Sequence, residues 1–410
     1  MIYIIQATSF LHALINLPAS KSISNRVLLL NALAQNSYPV KNLSNSDDTQ
    51  TLWKALHSSK TNLDIGAAGT SMRFLTAYLA QSAGDWTITG TERMKNRPIA
   101  ILVNALRALG AEIEYLEKDG FPPLHIHGKK LQGGRIALDG SVSSQYISAL
   151  MMIAPTLENG LELHLEGAVI SEPYIRMTIR LMEQFGVQTD WTGQTIRIRP
   201  QICQPLPFQV ESDWSAASYW YEILALSPEN VSIELEGLHS DSPQGDAQGR
   251  FLFEKLGVQT VFTDKSVILK KDLKVVKPTQ IEYDFINQPD LAQTFVVTCC
   301  LLEIPFRFVG LQSLRIKETD RIEALQTEMQ KLGYILQTEA NAIEWTGKRC
   351  APEDYPVIAT YEDHRMAMAF APVCLRTNKI CIESPNVVTK SYPAFWGDLS
   401  KAGFTISEEK

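Results

Sequence analysis

Leu17-Pro18-Ala19-Ser20-Lys21-Ser22-Ile23-Ser24-Asn25-Arg26 places two cations and three hydroxyls in ten residues, where an apolar strand pattern gives way to an apolar helical one. A serine there can cap the helix that Val27, Leu28, Leu29, Leu30 and Leu33 bury. Lys21 and Arg26 then stand near unpaired N–H groups at the positive end of that helix, a place that suits a phosphate or a carboxylate. Gly66-Ala67-Ala68-Gly69-Thr70-Ser71-Met72-Arg73 is a glycine loop running into a second helix. Thr91-Glu92-Arg93-Met94-Lys95-Asn96-Arg97-Pro98 sets three cations before another, with Pro98 expected in its first turn. Ser141-Val142-Ser143-Ser144-Gln145-Tyr146 and Ser171-Glu172-Pro173-Tyr174-Ile175-Arg176 gather hydroxyls at two more helix starts. Taken alone, each stretch also fits a plainer role as a solvated turn or an N-cap.

Groups fit for proton transfer lie in the C-terminal half. Asp290, in Asn287-Gln288-Pro289-Asp290-Leu291, is either a helix-start carboxylate or a base. Arg315-Ile316-Lys317-Glu318-Thr319-Asp320-Arg321 reads as the opening of a helix, with Lys317 and Arg321 as i,i+4 neighbours and Glu318 between them. A surface ion-pair ladder has the same pattern. Tyr361-Glu362-Asp363-His364-Arg365 meets a helix so apolar that it must be buried, so His364 is either a satisfied core histidine or part of a cleft, and Arg365 needs an anionic partner. Lys390 falls in an expected exposed turn.

The elements that must hold these groups show a repeat. Amphipathic helices stop at Gly110, Gly186, Gly257, Gly333 and Gly403 and turn into short strands, at near-equal intervals of roughly 70 residues. A weaker sixth copy lies at Leu52-Trp53-Lys54-Ala55-Leu56-His57. Six α/β units in two groups of three are expected, with helices packed inside short sheets and a boundary near Val210-Glu211-Ser212-Asp213. The length of 410 residues exceeds one ordinary core, and the net charge of −7 argues against a general nucleic-acid binder. Any anion site must be a local gathering of cations. The six cysteines lack C-x-x-C spacing and suggest neither zinc nor disulfides; with no signal-peptide or membrane-spanning pattern, a cytoplasmic location is expected.

With these stretches in this order, nearly the whole chain resembles the enolpyruvyl transferases, and within them the branch acting on shikimate 3-phosphate. The resemblance rests on Pro18 to Arg26, Ala68-Gly69-Thr70 with Met72-Arg73, Arg93-Met94-Lys95 with Arg97-Pro98, Ser143-Ser144-Gln145, Pro289-Asp290, Lys317 to Arg321, and Asp363 to Met368. It implies an α/β fold, a two-lobed inside-out barrel of six βαβαββ repeats. Lobe I would comprise residues 1–20 with 213–410 and lobe II residues 21–212, the active site lying in the interlobe cleft. The implied reaction transfers the enolpyruvyl group of phosphoenolpyruvate to the 5-hydroxyl of shikimate 3-phosphate through a tetrahedral intermediate, without metal or other cofactor, in a protein expected to be a monomer.

By the same resemblance, Lys21, Gly69, Arg97, Gln145, Arg321, Arg365 and Lys390 face phosphoenolpyruvate. Lys21, Ser22, Arg26, Ser143, Ser144, Gln145, Ser171, Tyr174, Asp290, Ser313 and Lys317 face shikimate 3-phosphate. Asp290 is the implied base and Glu318 the implied proton donor, with Lys21 and His364 also in the catalytic set. Ala67 and Ser313 stand where the family usually has asparagine, and Phe74 where it usually has proline; weaker substrate affinity and a shifted helix are the expected effects. A relative acting on UDP-N-acetylglucosamine would use a loop cysteine in the N-terminal lobe, whereas no cysteine precedes Cys203. A silent anion-binding relative is the other alternative, against which Asp290 and Glu318 argue.

Overall fold

A computed structural model describes residues 1–7, 11–35, 38–227 and 231–409. The chain forms two compact units, one of Met1–Pro18 with Glu211–Lys410 and the other of Ala19–Val210. Residues 211–213 belong with the first of these because Asp213 N donates to Pro18 O and Ser212 N to Gly237 O.

In the Ala19–Val210 unit, the helices Lys21–Leu33, Gly69–Gln81 and Ser144–Ile153 are covered on nearly every side. A helix apolar all round has no face for water and goes to the middle of a fold. Three sheets accompany them. One runs in the order Asn62–Asp64, Gly84–Thr89, Leu124–Gly128, Glu112–Tyr115, and a second in the order Gly134–Asp139, Leu161–Glu166, Thr195–Ile198, Asp190–Thr192. The third is only the parallel pair Val40–Lys41 and Phe208–Gln209. Burial alternates along strands such as Gly134–Asp139, whose Ile136 and Leu138 face the core.

The other unit follows the same plan. Its inner helices are Trp214–Leu226, Ala292–Leu301 and His364–Phe370. Its three four-stranded sheets, like the two in the other unit, each join one parallel pair to two antiparallel partners. The N-terminal strand Ile2–Gln6 lies between Lys379–Glu383 and Thr405–Glu409, and His12–Asn16 pairs with Ser232–Glu236, so the start of the chain completes two sheets built from later parts of this unit. The α/β repeat expected from the glycines is therefore present, with the sixth sheet reduced to two short strands.

All five helix-stop glycines have φ between 77° and 103°, which only glycine adopts without strain. After Gly110, Gly186, Gly333 and Gly403 the next residue's N–H reaches back to the helix, as in Ala111 N to Leu106 O. The weak copy has no such glycine and ends at His57. Two expected helix starts are corrected. Pro98 precedes the helix Ala100–Ala108, in which Ile99 is the N-cap. Lys317 and Glu318 precede the helix Arg321–Lys331, because the Asp320 carboxylate caps Ile322 and Glu323 and the helix begins after it.

Candidate active site

In each unit most of the charged candidates stand at or just before helix starts, where unpaired amides and the helix dipole favour anions. In the Ala19–Val210 unit, Ser20 caps the helix that Lys21 opens, and Ser143 caps the one that Ser144 opens. Gln145 Nε2 donates to Thr70 Oγ1 at 3.2 Å, which ties the third helix start to the glycine loop. The Arg97 guanidinium lies against Gly69, and Arg97 Nε is buried with no hydrogen-bond partner among the described residues. Arg73 is buried beneath it, donating to Gly69 O and Pro98 O at 3.1 and 3.2 Å.

Lys21 Nζ stands 3.4 Å from the buried Asp48 carboxylate. Arg26 is drawn further inward. Its guanidinium donates to Thr178 Oγ1 at 2.7 Å, Ser22 O at 2.9 Å, Ser148 Oγ at 3.1 Å and Tyr174 O at 3.4 Å, above the ring of Phe74. Among the described residues no carboxylate pairs with it, and burial brings it down to about 10. Ser171 has φ 53° and makes no side-chain cap to its helix, although it stands at the N-cap position.

In the other unit the charges form one cluster. Asp290 Oδ1 is 3.1 Å from Arg321 Nη1 and 3.9 Å from Lys317 Nζ, while its Oδ2 is 2.9 Å from Arg365 Nη2. Arg321 also reaches Glu318 Oε2 at 3.0 Å and Asp363 Oδ2 at 2.7 Å. Lys390 Nζ is 3.0 Å from Glu318 Oε1. Burial opposes the charge on Arg321, but Asp363, Glu318 and Asp290 outweigh it and hold the guanidinium more firmly protonated than usual. Asp363 caps the inner helix through Arg365 N at 2.9 Å, and His364 Nδ1 stands 3.8 Å from the same carboxylate. Arg365 Nη1 meets Tyr219 OH at 3.4 Å.

Residues 5–59 and 53–399 match the sequence model of EPSP synthase (3-phosphoshikimate 1-carboxyvinyltransferase). A 3-phosphoshikimate 1-carboxyvinyltransferase of Bacteroides fragilis (strain YCH46) is 57% identical over 408 residues, covering 99% of each chain. One from Vibrio cholerae serotype O1 (strain M66-2) is 36% identical over 416 residues, covering 94% of this chain and 96% of that one. The chain belongs to the EPSP synthase family. Its fold is shared with the EPSP synthase of Acinetobacter baumannii, at a TM-score of 0.78 over 99% of this chain and 100% of that one and 21% identity.

For an EPSP synthase relative, the sequence-derived candidates fall into two groups. Asp290, Lys317, Glu318, Arg321, His364, Arg365 and Lys390 meet in one unit. Lys21, Ser22, Arg26, Gly69, Arg97, Ser143, Ser144, Gln145, Ser171 and Tyr174 lie in the other. Ser313 sits in the short 3-10 turn Gln312–Ile316, just ahead of Lys317. Lys390 is not in an exposed turn, since its side chain is only 12% exposed against Glu318. Phe74 continues the helix Gly69–Gln81 as a fully buried residue beneath Arg26.

Sequence reasoning missed Asp246. It is buried, accepts a hydrogen bond from Ser215 Oγ at the start of the inner helix Trp214–Leu226, and is raised to about 7 by burial, with Asp290 adding to the rise and Arg365 opposing it. Its partners Ser215, Asp290 and Arg365 are all more than thirty residues away in sequence, so no local pattern marks it. Asp48 was equally hidden, because Ser46-Asp47-Asp48 reads as an ordinary helix start. Among the described residues no group of three or more His, Cys, Asp or Glu could hold a metal ion, and no helix is long and apolar enough to cross a membrane.

Proposed function

We propose that this protein transfers the enolpyruvyl group of phosphoenolpyruvate to the 5-hydroxyl of shikimate 3-phosphate and releases phosphate. The observation that carries the chemistry is a single buried arginine, Arg321, shared by the two carboxylates that must do opposite jobs, Asp290 and Glu318. Asp290 takes the proton of the 5-hydroxyl as its oxygen bonds to C2 of phosphoenolpyruvate, and Glu318 gives a proton to C3. The C3 proton is then lost as the C2–O bond to phosphate breaks and the double bond re-forms.

Both substrates are multiply anionic, and fixed cations offset their repulsion. Lys390 and Arg321 now hold Glu318, whereas Arg365 holds Asp290. An arriving phosphate or carboxylate competes for these cations and releases the two carboxylates for proton transfer. Lys21 and Arg97 likewise offset substrate charge. Ser22, Arg26, Ser143, Ser144, Gln145, Ser171, Tyr174, Ser313 and Lys317 complete the shikimate 3-phosphate contacts, His364 orients its neighbours, and a reducing cytoplasm suits the six thiols.

The test is phosphate release from phosphoenolpyruvate by the purified protein. Release that requires shikimate 3-phosphate is expected. Release supported by UDP-N-acetylglucosamine instead overturns the choice of acceptor, and tight binding of both substrates without release overturns catalysis.

A further inference from the structure

We propose that Glu328 is a positioning residue for the transfer reaction, acting through the turn that aims Arg365. This inference rests on the assignment of Arg365 to phosphoenolpyruvate. Glu328 is fully buried in the helix Arg321–Lys331, about two turns beyond Arg321 and so on the same face. Its Oε2 accepts from Ala359 N at 3.1 Å, and its Oε1 accepts from Tyr361 OH at 2.6 Å. Lys331 Nζ lies 2.7 Å from Oε2 and donates onward to Val357 O at 2.8 Å. Two residues beyond Tyr361, Arg321 Nε grips Asp363 Oδ2 at 2.7 Å. Three side chains of one helix thus fasten residues 357–363 at Val357, Ala359, Tyr361 and Asp363.

What lies between those fastenings explains why they are needed. Tyr361 and Glu362 both have left-handed backbones, with φ 53° and 57°, and neither is a glycine. Two such residues in a row revert to ordinary conformations unless their surroundings hold them. Asp363 N closes the turn on Thr360 O at 2.8 Å, and the same Asp363 caps the helix whose second residue is Arg365. A relaxed turn therefore moves the cap, and with it the guanidinium that meets Asp290. Glu328 itself bonds only to Ala359, Tyr361 and Lys331 among the described residues, away from the reacting groups.

Glu328→Gln keeps the shape but leaves one acceptor where two are used, and Tyr361→Phe removes one bond from a partly exposed side chain. Steady-state kinetics of both variants should show the KM for phosphoenolpyruvate raised about five- to ten-fold, with the KM for shikimate 3-phosphate held within about two-fold. Adding Glu362→Gly to Glu328→Gln relieves the left-handed strain and should restore part of the phosphoenolpyruvate KM, which no general loss of stability would do. Arg365→Lys serves as the reference. If it raises the phosphoenolpyruvate KM while the Glu328 and Tyr361 variants leave it unmoved, or raise both KM values together, the positioning role is wrong and the function stands. If Arg365→Lys leaves that KM unchanged, the assignment of Arg365 and the inference built on it both fall.

Discussion

The Arg97 guanidinium rests on Gly69 so closely that a Cβ at residue 69 would stand 2.6 Å from Nη1 and 3.1 Å from Cζ. Gly69 opens the helix Gly69–Gln81 with ordinary backbone angles, so alanine there meets a steric obstacle and no backbone strain. Gly69→Ala is expected to fold normally, displace Arg97 and raise the KM for phosphoenolpyruvate about ten-fold, with shikimate 3-phosphate little affected. An unchanged phosphoenolpyruvate KM in steady-state kinetics would separate Arg97 from that substrate.

Lys21 and Asp48 make a second pairing with a direct consequence. Their side chains are 16% and 6% exposed, so the ammonium is held at the helix start against a buried carboxylate. Lys21→Ala removes a fixed cation from the proposed substrate contacts, and a loss in kcat of about 100-fold or more is expected. The inner helix keeps its Ser20 cap, so the thermal midpoint should move by only a few degrees. Near-normal turnover removes Lys21 from the mechanism.

Local chemistry was readable in the chain wherever a residue acts on its own neighbours. Ser20 and Ser143 cap the helices they precede, and the glycines after Leu109, Phe185, Leu256, Leu332 and Ala402 end helices with the left-handed turn their spacing suggested. The reading failed where two local signals competed, as at residues 315–321, where the Asp320 cap overrides the charge pattern that looked helical. It had no access to contacts made across the fold. Asp246 meets Ser215, Asp290 and Arg365 only after three helices are packed, and Arg26 finds Ser148 and Thr178 more than a hundred residues away. The site's residue types were therefore visible before its pairings were, and the ion pairs that link Arg321 to three carboxylates come from tertiary packing.

Arg26 carries a stability prediction. Its planar fork serves two hydroxyls and two backbone carbonyls at once, which a single ammonium cannot match. Arg26→Lys leaves some of these buried acceptors without donors and is expected to cost roughly 2 kcal/mol of unfolding free energy. Denaturant unfolding followed by fluorescence reads this as a lowered midpoint. An unshifted midpoint shows that the four bonds contribute nothing beyond what lysine supplies.

Asp246 gives the protein a pH dependence whose sign follows from its burial. An unfolded aspartate releases its proton near pH 4, whereas burial first, and the nearby Asp290 charge second, raise Asp246 to about 7 in the folded chain. Between those values the folded protein holds a proton that the unfolded chain has lost. This contribution to stability is fully present below about pH 4 and is lost as the pH rises through about 7. Asp246→Asn keeps a neutral group at the position and removes the dependence. Between about pH 5 and about pH 8 the wild type should therefore lose on the order of 2 kcal/mol more than the variant, read from unfolding curves at the two pH values. Equal losses in the two proteins would show that Asp246 is already ionised at pH 5, and its carboxylate would then have to be counted against the cations of Arg321 and Arg365.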